Sequence, residues 1–331
     1  MPNEKAYFLT LEPTFQQLLG TDASIVLLLE YDAYPFAHEA GVFFADTHEL
    51  FITSNRFTRQ DEPYIQISKV SLGDGSKKVS REEIPSLDIP LGNGGINYRD
   101  GILFCSQGSM TKPSGLYWMS RKAPYSSKLL ISDFYGRQFN SVNDVVVHSD
   151  GSIWFTDPIY GYEQGYRPKP DLPCQVYRFD PKNKSIRAIA DGFGRPNGIS
   201  FSPDEEIVYI TDTDWIHGDG TTDGMRPSSI YAFDVTHYSG QPFLTNRRLF
   251  AMAADGIPDG IKCDMEGNVY SGCGDGINVW SPGGVLLGII KIEGGAANFC
   301  FGKEGALYIL NEHKLWKAQL SKSVRGALLE I

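Results

Sequence analysis

The sequence has few cysteines, and none in the spacing that holds a structural metal. The five, Cys105, Cys174, Cys263, Cys273 and Cys300, form no CxxC pair, which excludes a zinc ribbon. Their odd number and wide spacing favour reduced, buried thiols. Gly-x-Ser-x-Gly, Gly-x-Gly-x-x-Gly and P-loop patterns are also absent, which argues against an α/β-hydrolase nucleophile and against nucleotide-binding loops.

Basic runs and long apolar runs are missing as well. The net charge is −10 and no stripe of Lys or Arg occurs, so nucleic acid is not an expected partner. No apolar run approaches the roughly 20 residues that a membrane-spanning helix needs. The first residues, MPNEKAYFLT, lack the basic and apolar segments of a signal peptide. A cytoplasmic protein without membrane association is therefore the default expectation, although a leader already removed would leave no trace.

Helix signals are scarce, and one short helix is predicted over residues 13–19. Elsewhere short apolar runs are broken by Gly, Asp, Asn and Pro, which is typical of strands and turns. The 35 glycines and 19 prolines are spread along the chain, as many turns would require. The sequence therefore predicts an all-β fold.

Six segments of the sequence resemble one another, which predicts a repeat architecture. They are EAGVFFADTHELFI from Glu39, NGGINYRDGILF from Asn93, NDVVVHSDGSIWF from Asn143, NGISFSPDEEIVYI from Asn197, DGIKCDMEGNVY from Asp259 and NFCFGKEGALYI from Asn298. Each begins with a carboxylate or carboxamide residue, continues as a strand, turns at a polar tip and returns as a second strand. Two further strands follow most of these pairs.

Four strands per repeat indicate a six-bladed β-propeller with four antiparallel strands in each blade. We expect one domain over residues 1–331, with an N-terminal segment over 1–36 and the blades over 37–320. The last repeat is one strand short, and the strand SIVLLLE, at residues 24–30, precedes the first repeat. It is predicted to close the ring and so remove an open sheet edge. The C-terminal GALLEI, at residues 326–331, is the alternative closing strand.

The leading residues of the six segments are predicted to form a cation site. The first strand of each blade lines the channel of a propeller, so residues at its start converge at one end of the axis. The six are Glu39, Asn93, Asn143, Asn197, Asp259 and Asn298. Six oxygen-bearing side chains without partners would be costly, and a divalent cation removes that cost. Oxygen ligands favour Ca²⁺, then Mg²⁺ or Mn²⁺. Zn²⁺ is possible but disfavoured, because no His belongs to these six residues. Alternatively, these are only turn residues.

The loops that follow the second strands face the same end of the axis. Two of them are long, over residues 157–173 and 212–227, and long loops in compact folds are frequently functional. We interpret them as walls of a substrate pocket, although packing within the loops is an equal alternative. With two of the leading residues, they supply the predicted substrate contacts, which are Asn93, Asn298, Asp157, Tyr160, Asp212, Trp215 and His217. Tyr162 and Tyr166 are further candidates.

Four stretches of the sequence resemble a known family. They are FNSVNDVVVHSDGSIWFTDPIYG (139–161), GRPNGISFSPDEEIVYITDT (194–213), IPDGIKCDMEGNVY (257–270) and HEAGVFFAD (38–46). They resemble the senescence-marker-protein/gluconolactonase family, which includes regucalcin and bacterial and fungal lactonases. The resemblance extends from about Ala37 to Leu320.

The resemblance implies a six-bladed propeller with one divalent metal near its axis. By position, Glu39, Asn197 and Asp259 correspond to the family's metal-binding residues, and Asp259 also to its proposed general base. Asn143 corresponds to a channel residue that binds substrate or metal-bound water. Ser141 stands where sugar lactonases of animal type carry Arg, so the resemblance does not imply an aldonolactone in particular.

The resulting hypothesis is a metal-dependent hydrolase that opens a small lactone, sugar-derived or aliphatic. The cation polarises the carbonyl, Asp259 takes a proton from water, and Asn143 and Asn197 stabilise the oxyanion. Asn143 is counted among both the catalytic residues and the candidate metal ligands. One alternative is a lyase- or isomerase-type enzyme of secondary metabolism at the same metal site, and another is a non-catalytic calcium-binding propeller. The expected partner is a small lactone or ester, and the expected state is a monomer or simple homo-oligomer.

Overall fold

The structure is a computed structural model that describes residues 5–73, 78–85 and 88–327. The chain begins with an N-terminal segment that precedes the blades. It consists of β1 (Ala6–Thr10), α1 (Pro13–Leu19) and β2 (Ser24–Glu30). The bounds of α1 are those predicted, and proline stands at its start, where its missing N–H costs nothing.

Six antiparallel sheets follow, and apart from β1 and β2, which join two of these sheets at their outer edges, the innermost strand of each sheet comes first in the sequence. Blade 1, with a hairpin inserted before its third strand, contains β3 (Glu39–Phe44), β4 (Glu49–Thr53), the hairpin strands β5 (Phe57–Arg59) and β6 (Glu62–Tyr64), β7 (Ile67–Ser71) and β8 (Ser80–Ile84). Blade 2 contains β9 (Gly92–Tyr98), β10 (Gly101–Ser106), β11 (Gly115–Ser120) and β12 (Ser127–Ile131), and a small hairpin of β13 (Asp133–Phe134) and β14 (Arg137–Gln138) follows it.

The remaining blades keep the same order. Blade 3 contains β15 (Val145–Val147), β16 (Ile153–Asp157), β17 (Gln175–Asp180) and β18 (Ser185–Ala190), with the short helix α2 (Tyr160–Glu163) between its second and third strands. Blade 4 contains β19 (Pro196–Phe201), β20 (Ile207–Asp212), β21 (Ser229–Tyr238) and β22 (Gln241–Met252). Blade 5 contains β23 (Ile261–Cys263), β24 (Val269–Cys273), β25 (Gly276–Trp280) and β26 (Leu286–Ile292), and blade 6 contains β27 (Asn298–Phe301), β28 (Ala306–Asn311) and β29 (Lys314–Gln319). The predicted six-bladed propeller is confirmed.

The ring is closed by the strand that the sequence predicted. β2 pairs antiparallel with β29, from Ser24 opposite Gln319 to Glu30 opposite Lys314. The Lys314 ammonium also lies 3.5 Å from the Glu30 carboxylate. The alternative closing segment falls mostly on residues outside the described part of the chain, and β2 occupies the position that it would need.

The N-terminal segment also contributes a strand that the sequence analysis missed. β1 pairs with β26 and becomes a fifth, outermost strand of blade 5. Between the two N-terminal strands, α1 buries Phe15 and Leu19 in the core shared by blades 5 and 6. The segment therefore holds together the two blades on either side of one interface.

In the described part of the chain, an apolar cluster lies between each pair of neighbouring blades. Between blades 3 and 4, for example, Trp154 and Val176 pack against Phe201 and Ile210. Because every blade is covered on both faces, the inner ends of the strands are held in a fixed circle around the axis. Within the described ranges, neither helix has the length and apolar character that crossing a bilayer requires.

Candidate functional site

The six leading residues start the innermost strands or come just before them, and their neighbours in sequence explain how closely they approach. A Cβ on Gly198 would lie 2.4 Å from the carbonyl oxygen of Asp259, and one on Gly260 would lie 2.4 Å from Cγ of Asn298. Such distances are too short for any side chain. The glycine after the leading residue therefore allows the next leading residue to come close around the axis.

Hydroxyl groups on the second strands fix the leading residues of the neighbouring blades. Thr53, Thr156 and Thr211 donate to the carbonyl oxygens of Asn93, Asn197 and Asp259, at 3.0, 2.6 and 3.0 Å. The sequence analysis missed these threonines. The available signal was the recurrence of Thr near the end of the second strand, in FITS, FTD and ITD.

Five of the six leading residues line one cavity of about 260 Å³ at this end of the axis: Glu39, Asn93, Asn143, Asn197 and Asp259. Asn298 is placed behind them, where its Nδ2 donates to Oε2 of Glu39 at 2.6 Å. Asn298 thus orients a cavity residue and does not itself line the cavity.

The carboxylate of Glu39 is buried in the cavity, that of Asp259 is partly buried, and the two repel each other. Burial and then the charge of Asp259 raise the pKa of Glu39 well above its ordinary value. Burial likewise raises the pKa of Asp259 to about 6, against the opposing influence of His38. Within the described residues, Oδ1 of Asp259 and Oδ1 of Asn143 are buried without a hydrogen-bond partner. Unsatisfied oxygens of this kind are the groups that a ligand would complete.

Tyr160, the first residue of α2, lines the same cavity. The side chain of Asn197 hydrogen-bonds both to Asp259 and to Tyr160, and the Tyr160 hydroxyl contacts that of Thr213. Burial raises the pKa of Tyr160, so the phenol is neutral at physiological pH. Asn197 is therefore held in one orientation beside the carboxylate.

A His–Glu pair borders the cavity and was not predicted. Nδ1 of His38 lies 2.6 Å from Oε1 of Glu312, and Oε2 of Glu312 accepts from Asn55 at 3.2 Å. Burial alone would lower the pKa of His38, but Glu312, Glu39 and Asp259 raise it to about 10. No local pattern could have revealed this pair, because its members are separated by 274 residues.

The predicted contacts Asp157 and Asp212 are not among the residues that line the cavity. The two oxygens of Asp157 accept from the backbone N–H groups of Asn140 and Ser141 at 2.9 and 2.8 Å. Those of Asp212 accept from Gly194 and Arg195 at 3.1 and 2.9 Å in the next blade. Both carboxylates hold the segment that leads into an innermost strand, so their oxygens are already used.

The aromatic residues of the long loops are dispersed. His217 lines the cavity, whereas Trp215 does not. Tyr162 is exposed, and the buried Tyr166 donates through its hydroxyl to Gln107 at 2.6 Å. The structure thus brings Tyr160 and His217 to the leading residues and leaves the other predicted aromatic contacts outside the cavity.

The two long loops are joined to each other, which makes a continuous wall. Nε of Arg195 donates to Glu163 at 3.0 Å, and a second guanidinium nitrogen contacts Asp214. Glu163 also accepts from the backbone N–H of Gly218 at 2.8 Å. This network connects α2 with the loop of blade 4 that contributes His217.

Comparison with known proteins shows the family of the chain. Residues 66–313 match the SMP-30/Gluconolactonase/LRE-like region. The chain belongs to the SMP-30/gluconolactonase/LRE-like family. Among its members, the lactonohydrolase oryL of Aspergillus oryzae is 29% identical over 80% of this chain and 63% of its own length. The gluconolactonase of Zymomonas mobilis is 28% identical over 63% of this chain and 62% of its own length.

A solved structure shows the same relationship in three dimensions. A gluconolactonase from Xanthomonas campestris superposes with a TM-score of 0.76 at 27% identity, covering 97% of this chain and 99% of its own. The chain thus spans less than two thirds of the oryL and Zymomonas mobilis proteins but nearly all of this one.

The family region includes most of the candidate site but not all of it. Asn143, Asn197, Asp259 and Glu312 fall inside the matched residues, whereas Glu39 precedes them. The position of Glu39 in the cavity therefore follows from the structure and not from the family match.

Proposed function

We propose that this protein is a hydrolase that opens a small lactone in the axial cavity with the help of a divalent cation. The observation that carries the proposal is the pair of buried, unpartnered oxygens, Oδ1 of Asp259 and Oδ1 of Asn143, in a cavity lined by polar side chains. The lactone-hydrolysing relatives support the reaction class.

The donors in the cavity fit a hard cation. In the described part of the chain, no three His, Cys, Asp or Glu side chains form a metal-binding group, so a cation would need amide oxygens in addition to carboxylates. Glu39, Asp259, Asn143 and Asn197 supply both, and such oxygen sets suit Ca²⁺ first and Mg²⁺ or Mn²⁺ next. When bound, the cation supplies Lewis-acid polarisation of a carbonyl oxygen.

Asp259 is the proposed general base. It accepts a proton from the water whose oxygen bonds to the lactone carbonyl carbon, and it returns a proton to the ring oxygen when the ring C–O bond breaks. The product is the hydroxy acid. Asn197 holds Asp259 in place, Tyr160 holds Asn197, and Thr213 holds the Tyr160 hydroxyl.

Amide groups and the imidazole of His38 orient the substrate. Asn143 and Asn93 line the cavity beside Asp259, where their amides can hydrogen-bond the lactone carbonyl or the developing oxyanion. His38 is held by Glu312 and faces the same cavity. Its charge offsets that of the two carboxylates.

Proton release from a panel of γ- and δ-lactones, sugar-derived and aliphatic, tests the proposal. We expect chelated protein to be inactive and added Ca²⁺ to restore acid release. Asp259→Asn should abolish release, while Asp223→Asn, which changes an exposed carboxylate on the 212–227 loop, should retain it. If folded, cation-loaded protein released no acid from any lactone, the hydrolase proposal would be wrong, and a non-hydrolytic reaction or a binding role would replace it.

A further inference from the structure

A second, larger depression adjoins the axial cavity on the blade 1 and blade 2 side. Its volume is about 620 Å³, compared with about 260 Å³ for the cavity itself. One wall comes from the end of the β5–β6 hairpin, with Tyr64 and Ile65, and another from Ile89 and Leu91 before β9. Met110, on the loop after β10, lies on its outer side.

The surface of this groove is mostly apolar. Ile65, Leu91 and Tyr166 pack together as a small buried cluster. Among the described residues that line the groove, Glu62 is the one that carries a charge. A sugar or a charged ligand would find few polar partners here, whereas a hydrocarbon chain would be removed from water.

The groove and the cavity share a wall. Ile65 lines both of them. Tyr166 lines the groove, and its hydroxyl bonds to Gln107, which lines the cavity. Arg56 stands over the Tyr166 ring at 5.8 Å and donates to Gln164 at 3.0 Å, which fixes this boundary from the cavity side.

We infer that the groove binds the alkyl chain of a lactone whose ring occupies the axial cavity, so that the preferred substrate is a lipophilic lactone. This inference rests on the proposed function for the position of the ring. Because Ile65 lines both the cavity and the groove, the substituent of a ring-bound substrate that extends over Ile65 would lie against the groove, which makes the alkyl chain of the substrate the occupant.

The first experiment measures kcat/KM for γ-butyrolactone, γ-hexalactone, γ-octalactone and γ-decalactone. Each buried methylene is expected to raise kcat/KM roughly two- to fourfold until the groove is filled. Hydrolysis of all four at the same kcat/KM would overturn the inference while leaving the proposed hydrolase intact.

A matched pair of methionines supplies the variant and its control. Met110 is 63% exposed and lines the groove, whereas Met225 is 92% exposed on the corresponding loop of blade 4 and lies outside it. Met110→Asp should lower kcat/KM for γ-decalactone at least about tenfold and leave γ-butyrolactone within twofold, because the charge opposes burial of the chain alone. Met225→Asp should change neither value. Equal effects of the two variants would overturn the inference.

Binding of the ring-opened products tests the role of the groove independently of lactone hydrolysis. Isothermal titration calorimetry should show 4-hydroxydecanoate binding at least tenfold more tightly than 4-hydroxybutanoate, and Met110→Asp should remove the difference. This result would support the groove even if no lactone were hydrolysed. Equal affinities of the two acids for the unmodified protein would overturn it.

Discussion

Two pairs of carboxylates lie near the same end of the propeller, and they differ in how their oxygens are used. Asp157 and Asp212 each accept two backbone N–H groups in blades 3 and 4. Glu39 and Asp259 face the axial cavity, and Oδ1 of Asp259 has no partner in the described part of the protein. All four residues are carboxylates with little or partial exposure to solvent, and they differ in whether every oxygen has a hydrogen-bond partner.

The difference predicts which of these carboxylates stabilise the folded protein and which destabilise it when no ligand is bound. A buried carboxylate whose oxygens are filled by N–H groups holds a loop in place, whereas one without partners carries a desolvation penalty that a ligand must relieve. Asp157 and Asp212 should therefore stabilise the fold, whereas Asp259, which has one oxygen without a partner, should destabilise it in the absence of a ligand. Substitutions of Asp259 and of the first pair should have effects of opposite sign on stability.

The largest effect is expected for Asp259→Asn. Loss of the base should lower kcat/KM at least about 1,000-fold, which corresponds to about 4 kcal/mol of transition-state stabilisation. The Tm of chelated protein should stay the same or rise, because a buried, repelled charge is removed. Lactone kinetics and thermal unfolding in the presence of a chelator measure the two quantities. A marked fall in the Tm of this variant would show that Asp259 stabilises the fold as Asp157 does, and the proposed difference between the two carboxylates would be wrong.

The next largest effect is expected for Asp157→Ala and Asp212→Ala. Each leaves two buried N–H groups without an acceptor, which should lower the free energy of unfolding by about 2–3 kcal/mol. Urea unfolding measures this. The control is Asp180→Ala at the end of the third strand of blade 3, where the carboxylate is in an exposed turn. It should change the free energy of unfolding by less than about 1 kcal/mol. Unchanged stability of both variants would mean that the two carboxylates do not hold their loops.

Glu312→Gln tests an intermediate case, a carboxylate with partners that nevertheless borders the cavity. Glu312 raises the pKa of His38, so its neutral replacement should lower that pKa by at least about one unit, or about 1.4 kcal/mol. An NMR titration of the His38 ring in chelated protein, carried out on the unmodified protein and on the Glu312→Gln variant, measures the shift. A His38 pKa that did not move would show that the pair contributes nothing to its charge state.

The smallest effect is expected for Thr211→Val, which keeps the shape of the side chain but removes the hydrogen bond to the Asp259 carbonyl and the acceptor of the Gly198 N–H. The free energy of unfolding should fall by about 1–2 kcal/mol, less than for Asp212→Ala, because one N–H and not two loses its acceptor. A Thr213→Val variant provides a comparison in which Tyr160, and not the Asp259 backbone, loses a partner. If Thr211→Val cost more than Asp212→Ala, the order proposed for these groups would be incorrect.

The periodic part of the fold was predictable because repetition fixes register. Six leading residues at nearly constant distances from their second strands identified the blades, and the missing strand of blade 6 identified β2 as its replacement. β1 was not predictable in the same way, since AYFLT is short, precedes the repeat and joins blade 5 by pairing with β26, far away in sequence.

The candidate site was only partly predictable. Register placed Glu39, Asn143, Asn197 and Asp259 at one end of the axis, and their roles as ligands or catalysts remain predictions. The same reasoning assigned Asp157 and Asp212 to the substrate, because a sequence cannot show whether a nearby backbone N–H already occupies a carboxylate. The sequence also did not predict the His38–Glu312 pair or the groove beside Ile65, because both depend on how loops from different blades pack together.

Ring closure by β2 has a consequence for the timing of biosynthesis. β2 is translated roughly 280 residues before its partner β29, and at about 5–20 residues per second it waits on the order of 15–60 s for that partner. During this interval its apolar residues, among them Val26 and Leu27, belong to a nascent chain whose blade 6 does not yet exist. A strand that is translated early is thus among the last to find its partner, and the length of the delay is set by the rate of translation and not by the strand.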